Sequence, residues 1–158
     1  TVKRPALRDM MFLPQRPYMI PGSLRENLQY PGGDAEAGDE VLRTALKTAN
    51  LENVLERADG SFDTEVDWTN VLSLGEQQRL SFARLVLKKP KLAFLDEATS
   101  ALDEPNEELL YQWLEQSGIA YVSVGHRSTL KSFHQRLLSL TRGGEATISD
   151  TEKPQENA

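Results

Sequence analysis

The sequence predicts an α/β domain whose core is a mostly parallel sheet flanked by helices. Three observations carry this. The short apolar runs Met10-Met11-Phe12-Leu13, Leu92-Ala93-Phe94-Leu95 and Ile119-Ala120-Tyr121-Val122-Ser123-Val124 have the length and continuity of buried strands. Stretches with apolar residues at three- and four-residue steps lie between them, so strand and helix alternate. Two of the runs end directly on polar groups, Asp96-Glu97 and Gly125-His126, and Gln15 follows closely behind the first. Open α/β sheets gather ligands at that edge.

The elements follow in order. Pro14 stops the first run, and a breaker-rich loop extends from Gln15 to Gly22. Ser23 caps a short helix over Leu24 to Leu28, with Glu26 at capping-box spacing. Tyr30-Pro31-Gly32-Gly33-Asp34 breaks the chain again. Asp39 to Arg57 reads as helical, with Asn50 as a dividing point. Asp59 to Asn70 is polar and irregular, anchored by Phe62, Val66 and Trp68, so a mostly helical insert occupies about 34 to 70. Glu76 to Lys89 is a helix with acid at its start and lysine at its end, matched to the helix dipole, and Pro90 stops it. Pro105 stands at the start of another helix, capped by Asp103 or Glu104 and closed by Gly118. Ser128 is expected to cap a short helix through Phe133, and Gln135 to Leu140 to form a last strand. Residues 141–158 turn polar and are expected to be a disordered tail.

Composition narrows the function. The 158 residues are 39% hydrophobic and 27% charged, an ordinary globular balance. A net charge of -6 argues against a general nucleic-acid binder. The absence of cysteine excludes disulfides and thiolate metal sites. No apolar run approaches the roughly 18 residues that span a bilayer. The chain opens on Thr1 rather than Met and reads as a piece of a longer protein.

A hydrophobic strand ending in Asp96 is the arrangement in which a carboxylate supports Mg²⁺ on a nucleotide. Glu97 beside it is placed to polarise water as a general base, and His126 to contact a γ-phosphate. Ser73 and Gly75 precede a helix N-terminus, where free N–H groups and the dipole suit a phosphate. Each has a bland alternative: Asp-Glu as a helix cap, His126 as a structural residue, Ser73 as an N-cap. Their joint order favours chemistry.

At these residues the sequence resembles the ABC ATPases. Leu72-Ser73-Leu74-Gly75-Glu76 is similar to the signature motif, usually Leu-Ser-Gly-Gly-Gln. Leu92 to Asp103 resembles Walker B running into the D-loop, Gly125-His126-Arg127 the switch-histidine loop, and Leu13 to Met19 the Q-loop. The match covers about residues 10 to 140, and the wording of the Q-loop and signature is nearest to subfamily D. The resemblance implies a partial ABC-type P-loop NTPase over 1–140, with a helical signature subdomain at about 34–90. It implies that ATP and Mg²⁺ are the cofactors. Gln15 and Asp96 would serve the metal, Glu97 would be the base and His126 the switch. Ser73, Leu74, Gly75 and Glu76 would lie against the γ-phosphate held by an opposite subunit, and Asp103 would communicate across the dimer. The implied partners are a second ABC ATPase domain and, through the Q-loop region, a transmembrane domain. The implied location is the cytoplasmic or stromal side of a membrane.

Two departures stand out. Leu74 replaces the first glycine, and Glu76 replaces glutamine and is expected to point away from phosphate. A larger one is that no Gly-x-x-x-x-Gly-Lys-Ser/Thr occurs, so the phosphate loop is expected upstream of Thr1. From Leu92 to His126 there are seven acids and no Lys or Arg, a charge that a loop lysine and Mg²⁺ would offset. The leading expectation is the ATPase domain of a membrane transporter. A DNA-acting ABC ATPase would carry long coiled coils between Q-loop and signature, and residues 16 to 72 hold no heptad run. A non-enzymatic module supplying only the signature half is the third alternative.

Overall fold

A computed structural model describes residues 5–32 and 37–151. The chain divides into two compact units, Thr1–Val124 and Gly125–Ala158.

In the first unit, β1 (Met10–Leu13), β4 (Leu92–Asp96) and β5 (Ala120–Val124) form a parallel sheet in the order β1-β4-β5. The register places Phe12 beside Phe94 and Phe94 beside Val122. Because side chains alternate along a strand, this register sorts the sheet into two faces. Leu13, Ala93 and Leu95 are buried, whereas Phe12, Phe94, Val122 and Val124 are exposed. Helices α4 (Leu74–Lys88) and α5 (Glu104–Ser117) serve the buried face. Phe82 of α4 meets Tyr111 of α5 edge-on, and Tyr111 meets Tyr121 of β5 in the same way. Burial pushes the Tyr121 phenol up to about 12.

The helical part starts from local signals. Ser23 accepts from the Glu26 N–H and Glu26 bonds back to Ser23, closing the predicted capping box on α1 (Leu24–Gln29). The predicted helical stretch divides at Asn50, which adopts φ 53 between α2 (Asp39–Thr48) and a 3-10 helix, Glu52–Ala58. Leu42, Leu46, Leu51 and Val54 from these segments and Leu80 from α4 are almost fully buried. The insert is not purely helical: β2 (Gly22–Ser23) pairs antiparallel with β3 (Glu65–Val66). Strands of two residues leave no periodic signal to read. Trp68, at the head of the short helix α3 (Trp68–Val71), donates its indole N–H to Gly22 O at 3.1 Å and locks this small sheet in place. Arg84 of α4 is buried, donates to Asn27 O at 2.6 Å and Tyr18 O at 2.8 Å, and lies over the Tyr30 ring. Burial lowers its pKa to about 10.

The second unit holds a 3-10 helix, Ser128–Phe133, and a hairpin of β6 (Arg136–Leu140) with β7 (Ala146–Asp150). Two expectations change here. Ser128 is the first residue of its helix, not the cap; Arg127 holds that position without a side-chain bond. Residues 141–151 are not a disordered tail, because β7 pairs with β6 through a turn in which Gly144 adopts φ 82. Backbone pairing needs no apolar sequence, so polarity concealed the strand. The rest of the expected tail, 152–158, lies outside the described residues, as do Gly33 and Asp34 of the predicted break.

Candidate nucleotide site

Parallel pairing sets the site. Leu13 stands beside Leu95, so the chain two residues beyond each brings Gln15 and Glu97 to the same edge. There the Gln15 amide nitrogen donates to Glu97 Oε2 at 2.6 Å. Asp96 is the exposed last residue of β4. Glu97 adopts φ 48, a left-handed conformation uncommon for a non-glycine residue, and its N–H donates to Val124 O at 2.9 Å. Such outliers persist where surroundings over-determine them, and they cluster at functional sites.

What over-determines this turn is Gln78 of α4, to which the sequence reading gave no role. Gln78 is fully buried. Its amide nitrogen donates to Gln15 O at 2.8 Å, Ser100 Oγ at 3.2 Å and Glu97 O at 3.4 Å, and its oxygen accepts from the Ala101 N–H at 3.0 Å. One side chain thus fastens the loop after β1 to the loop after β4. The available signal was a polar residue on the apolar stripe formed with Phe82 and Leu85.

The second cluster is the start of α4. Ser73 is its N-cap, accepting from the Glu76 N–H at 3.3 Å, while Glu76 Oε2 accepts from Ser73 N at 2.9 Å and Ser73 Oγ at 3.1 Å. The cap occupies the Glu76 N–H, so Leu74 and Gly75 carry the orphan donors of this helix end. Arg57, from the 3-10 helix Glu52–Ala58, grips Glu76 at 2.6 and 3.1 Å. Burial pushes the Glu76 carboxyl up, but Arg57 and the Ser73 donors outweigh it and hold the group below its ordinary value. Gly75 has a packing reason to be glycine: a Cβ there would stand 3.0 Å from Ala101 O. Leu74 is half-buried at the first helical position.

Asp103 caps α5, accepting from the Asn106 backbone N–H at 3.1 Å and side-chain amide at 2.7 Å; these bonds lower its pKa. His126 is exposed and belongs to the second unit. Gly125 before it packs so tightly that a Cβ would lie 2.5 Å from Leu130 Cδ1.

The donors suit Mg²⁺-nucleotide. Among the described residues no group of three or more acidic or histidine side chains forms a self-contained metal cage. Mg²⁺ commonly takes one or two protein oxygens and completes its shell with phosphates and water. Asp96 and the remaining amide oxygen of Gln15 are donors of that kind, and the N–H groups of Leu74 and Gly75 at the start of α4 are of the kind that suits an anion.

Known proteins resemble this chain in sequence and in fold. The ABC transporter family matches residues 2–100. An uncharacterized ABC transporter ATP-binding protein of Synechocystis sp. is 49% identical over 94% of this chain and 22% of its own. The chloroplastic ABC transporter D family member 2 of Arabidopsis thaliana is 44% identical over 84% of this chain and 22% of its own, in keeping with the subfamily D wording. The solved structure of a bacterial Atm1-family ABC exporter with ATP bound superposes with a TM-score of 0.77 at 27% identity, over 90% of this chain and 25% of that one. The chain therefore spans about a fifth of the length of the curated relatives it matches. The chain belongs to the ABC transporter ATP-binding family.

Proposed function

We propose that this chain is part of the ATP-hydrolysing domain of a membrane transporter, and that it supplies the groups acting on the γ-phosphate. The observation that carries this is the Gln15–Glu97 hydrogen bond, with Gln78 fastening both loops behind it. In this reading Glu97 accepts a proton from the water that attacks the γ-phosphorus, while ADP leaves on the opposite side. Gln15 orients the Glu97 carboxylate and offers its amide oxygen to the metal; Asp96 supports the same ion. Bound Mg²⁺ supplies charge neutralisation across the phosphates. Ser73 and the N–H groups of Leu74 and Gly75 meet the γ-phosphate of ATP held by a second ATPase domain. Asp103 answers across that dimer, and His126 is the switch.

The phosphate loop lies outside these residues in this reading, so residues 1–158 alone are inactive. No helix among the described residues is long and apolar enough to cross a membrane. The transmembrane partner, which places the domain at a cytoplasmic or stromal membrane face, docks near the Q-loop. A cavity of about 320 Å³ lined by Pro17, Tyr18, Tyr30 and Arg84 supports that contact.

The test is Glu97→Gln in the complete transporter. ATP should still bind and be trapped, with hydrolysis lowered by at least about 100-fold. Normal turnover would remove Glu97 as the base.

A further inference from the structure

Arg57 has no part in the chemistry set out above, yet it reaches the signature turn. Its Nη2 donates to Glu76 Oε1 at 2.6 Å, and its Nη1 to Glu76 Oε2 at 3.1 Å and Val71 O at 3.2 Å. A two-pronged guanidinium–carboxylate contact is the strong, orienting form of such a pair. Glu76 Oε2 is also the atom that accepts from the Ser73 N–H and the Ser73 hydroxyl. One carboxylate oxygen is therefore shared between Arg57 and the hydroxyl that the proposed mechanism turns to the γ-phosphate.

A serine has one hydroxyl hydrogen. While it rests on Glu76, it is not available to a phosphate. An uncompensated carboxylate there holds that hydrogen strongly and repels a polyanion approaching the same helix end. A glutamine, the usual residue of the family at this position, accepts from the Ser73 N–H without either effect. We propose that Arg57 is a positioning residue of the signature: it neutralises Glu76 and weakens its hold on the Ser73 hydroxyl, freeing that hydrogen for phosphate while the backbone cap stays closed. Glu76 and Arg57 are then a compensated pair within one chain, and Glu76 is tolerated beside the nucleotide because Arg57 is there. The geometry fits this division of labour. The Glu76 side chain is 12% exposed and so poorly screened, and Arg57 approaches it from a separate element, the 3-10 helix Glu52–Ala58, not from α4.

This inference rests on the proposed nucleotide role of Ser73. It is tested by ATPase kinetics of the complete transporter. Arg57→Ala should raise the KM for ATP about tenfold with little change in kcat, because an unpaired charge beside the phosphate weakens ground-state binding. Arg57→Ala combined with Glu76→Gln should bring the KM back to within about twofold of the parent, since the charge is gone and the cap acceptor remains. Arg57→Lys, which keeps the charge and loses the fork, should fall between. If Arg57→Ala does not assemble, Arg57→Gln, nearer in volume, should give the same ordering. A double variant as impaired as Arg57→Ala alone would show that Arg57 merely props its 3-10 helix, and the inference falls. With Glu97→Gln blocked in the same preparation, only the inference falls; with Glu97→Gln turning over normally, Glu97 is removed as the base, and the KM ordering of the Arg57 and Glu76 variants still decides the inference.

Discussion

The helical signature region and the β1-β4-β5 sheet differ in how their apolar residues are covered. Around α2, the 3-10 helix Glu52–Ala58 and α4, the large side chains Leu42, Leu46, Leu51, Trp68 and Leu80 are all 1% exposed or less. Across the sheet the row Phe12, Phe94 and Val122 is open, at 59%, 37% and 53%. Parallel sheets are ordinarily covered on both faces. The signature region therefore completes its own core, while the sheet completes only the face that α4 and α5 cover. The catalytic candidates Gln15, Asp96 and Glu97 rise from the half-covered element, and the proposed phosphate contacts Ser73 and Gly75 from the closed one. Gln78 is the tie between them.

The same truncation on the two regions gives the largest contrast. Trp68→Ala removes a buried indole and its bond to Gly22 O, and should cost about 3–5 kcal/mol. Phe94→Ala, on the open face, should cost only about 1–2 kcal/mol, because part of the ring is already in solvent. Denaturant unfolding of residues 1–158 measures both. Equal losses would mean that the open face is closed in solution, and the contrast would break.

How much of this was legible in the sequence follows the same line. The apolar runs, the Ser23 and Ser73 caps, the break at Asn50 and the stop at Pro90 were readable because each signal lies within four or five residues of its effect. The Gln15–Glu97 edge was readable through strand ends. Gln78 and Arg57 were not, because their partners lie 63 and 19 positions away and neither residue type announces which distant group it will bind. The β7 strand was missed for a different reason: its stability comes from backbone pairing, to which composition is blind.

Gln78→Leu probes the tie. It preserves apolar volume but strands the Ala101 N–H and Gln15 carbonyl, each held at present by one side chain. A cost of about 2–3 kcal/mol is expected from the unmet polar groups. Hydrogen exchange should rise at Gln15, Glu97 and Ala101 together, and stay protected in α2. Loosening confined to one loop would show that Gln78 serves that loop alone.

The smallest effect sharpens the closed side, where Glu76 links α4 to Arg57. A carboxyl whose folded pKa is depressed contributes stability that is present above its unfolded value and lost as pH falls through the folded one. For Glu76 the unfolded value is 4.5, so its contribution is full at neutral pH and fades only below that point. Arg57 is 35% exposed, and solvent screening keeps the pair to about 1 kcal/mol. Glu76→Gln should therefore lower the unfolding midpoint slightly at pH 7, and the gap to the parent should close as pH falls below 4.5. A gap that persists unchanged into acid would assign the loss to the cap on Ser73, which glutamine fills less well, and not to the charge that Arg57 balances.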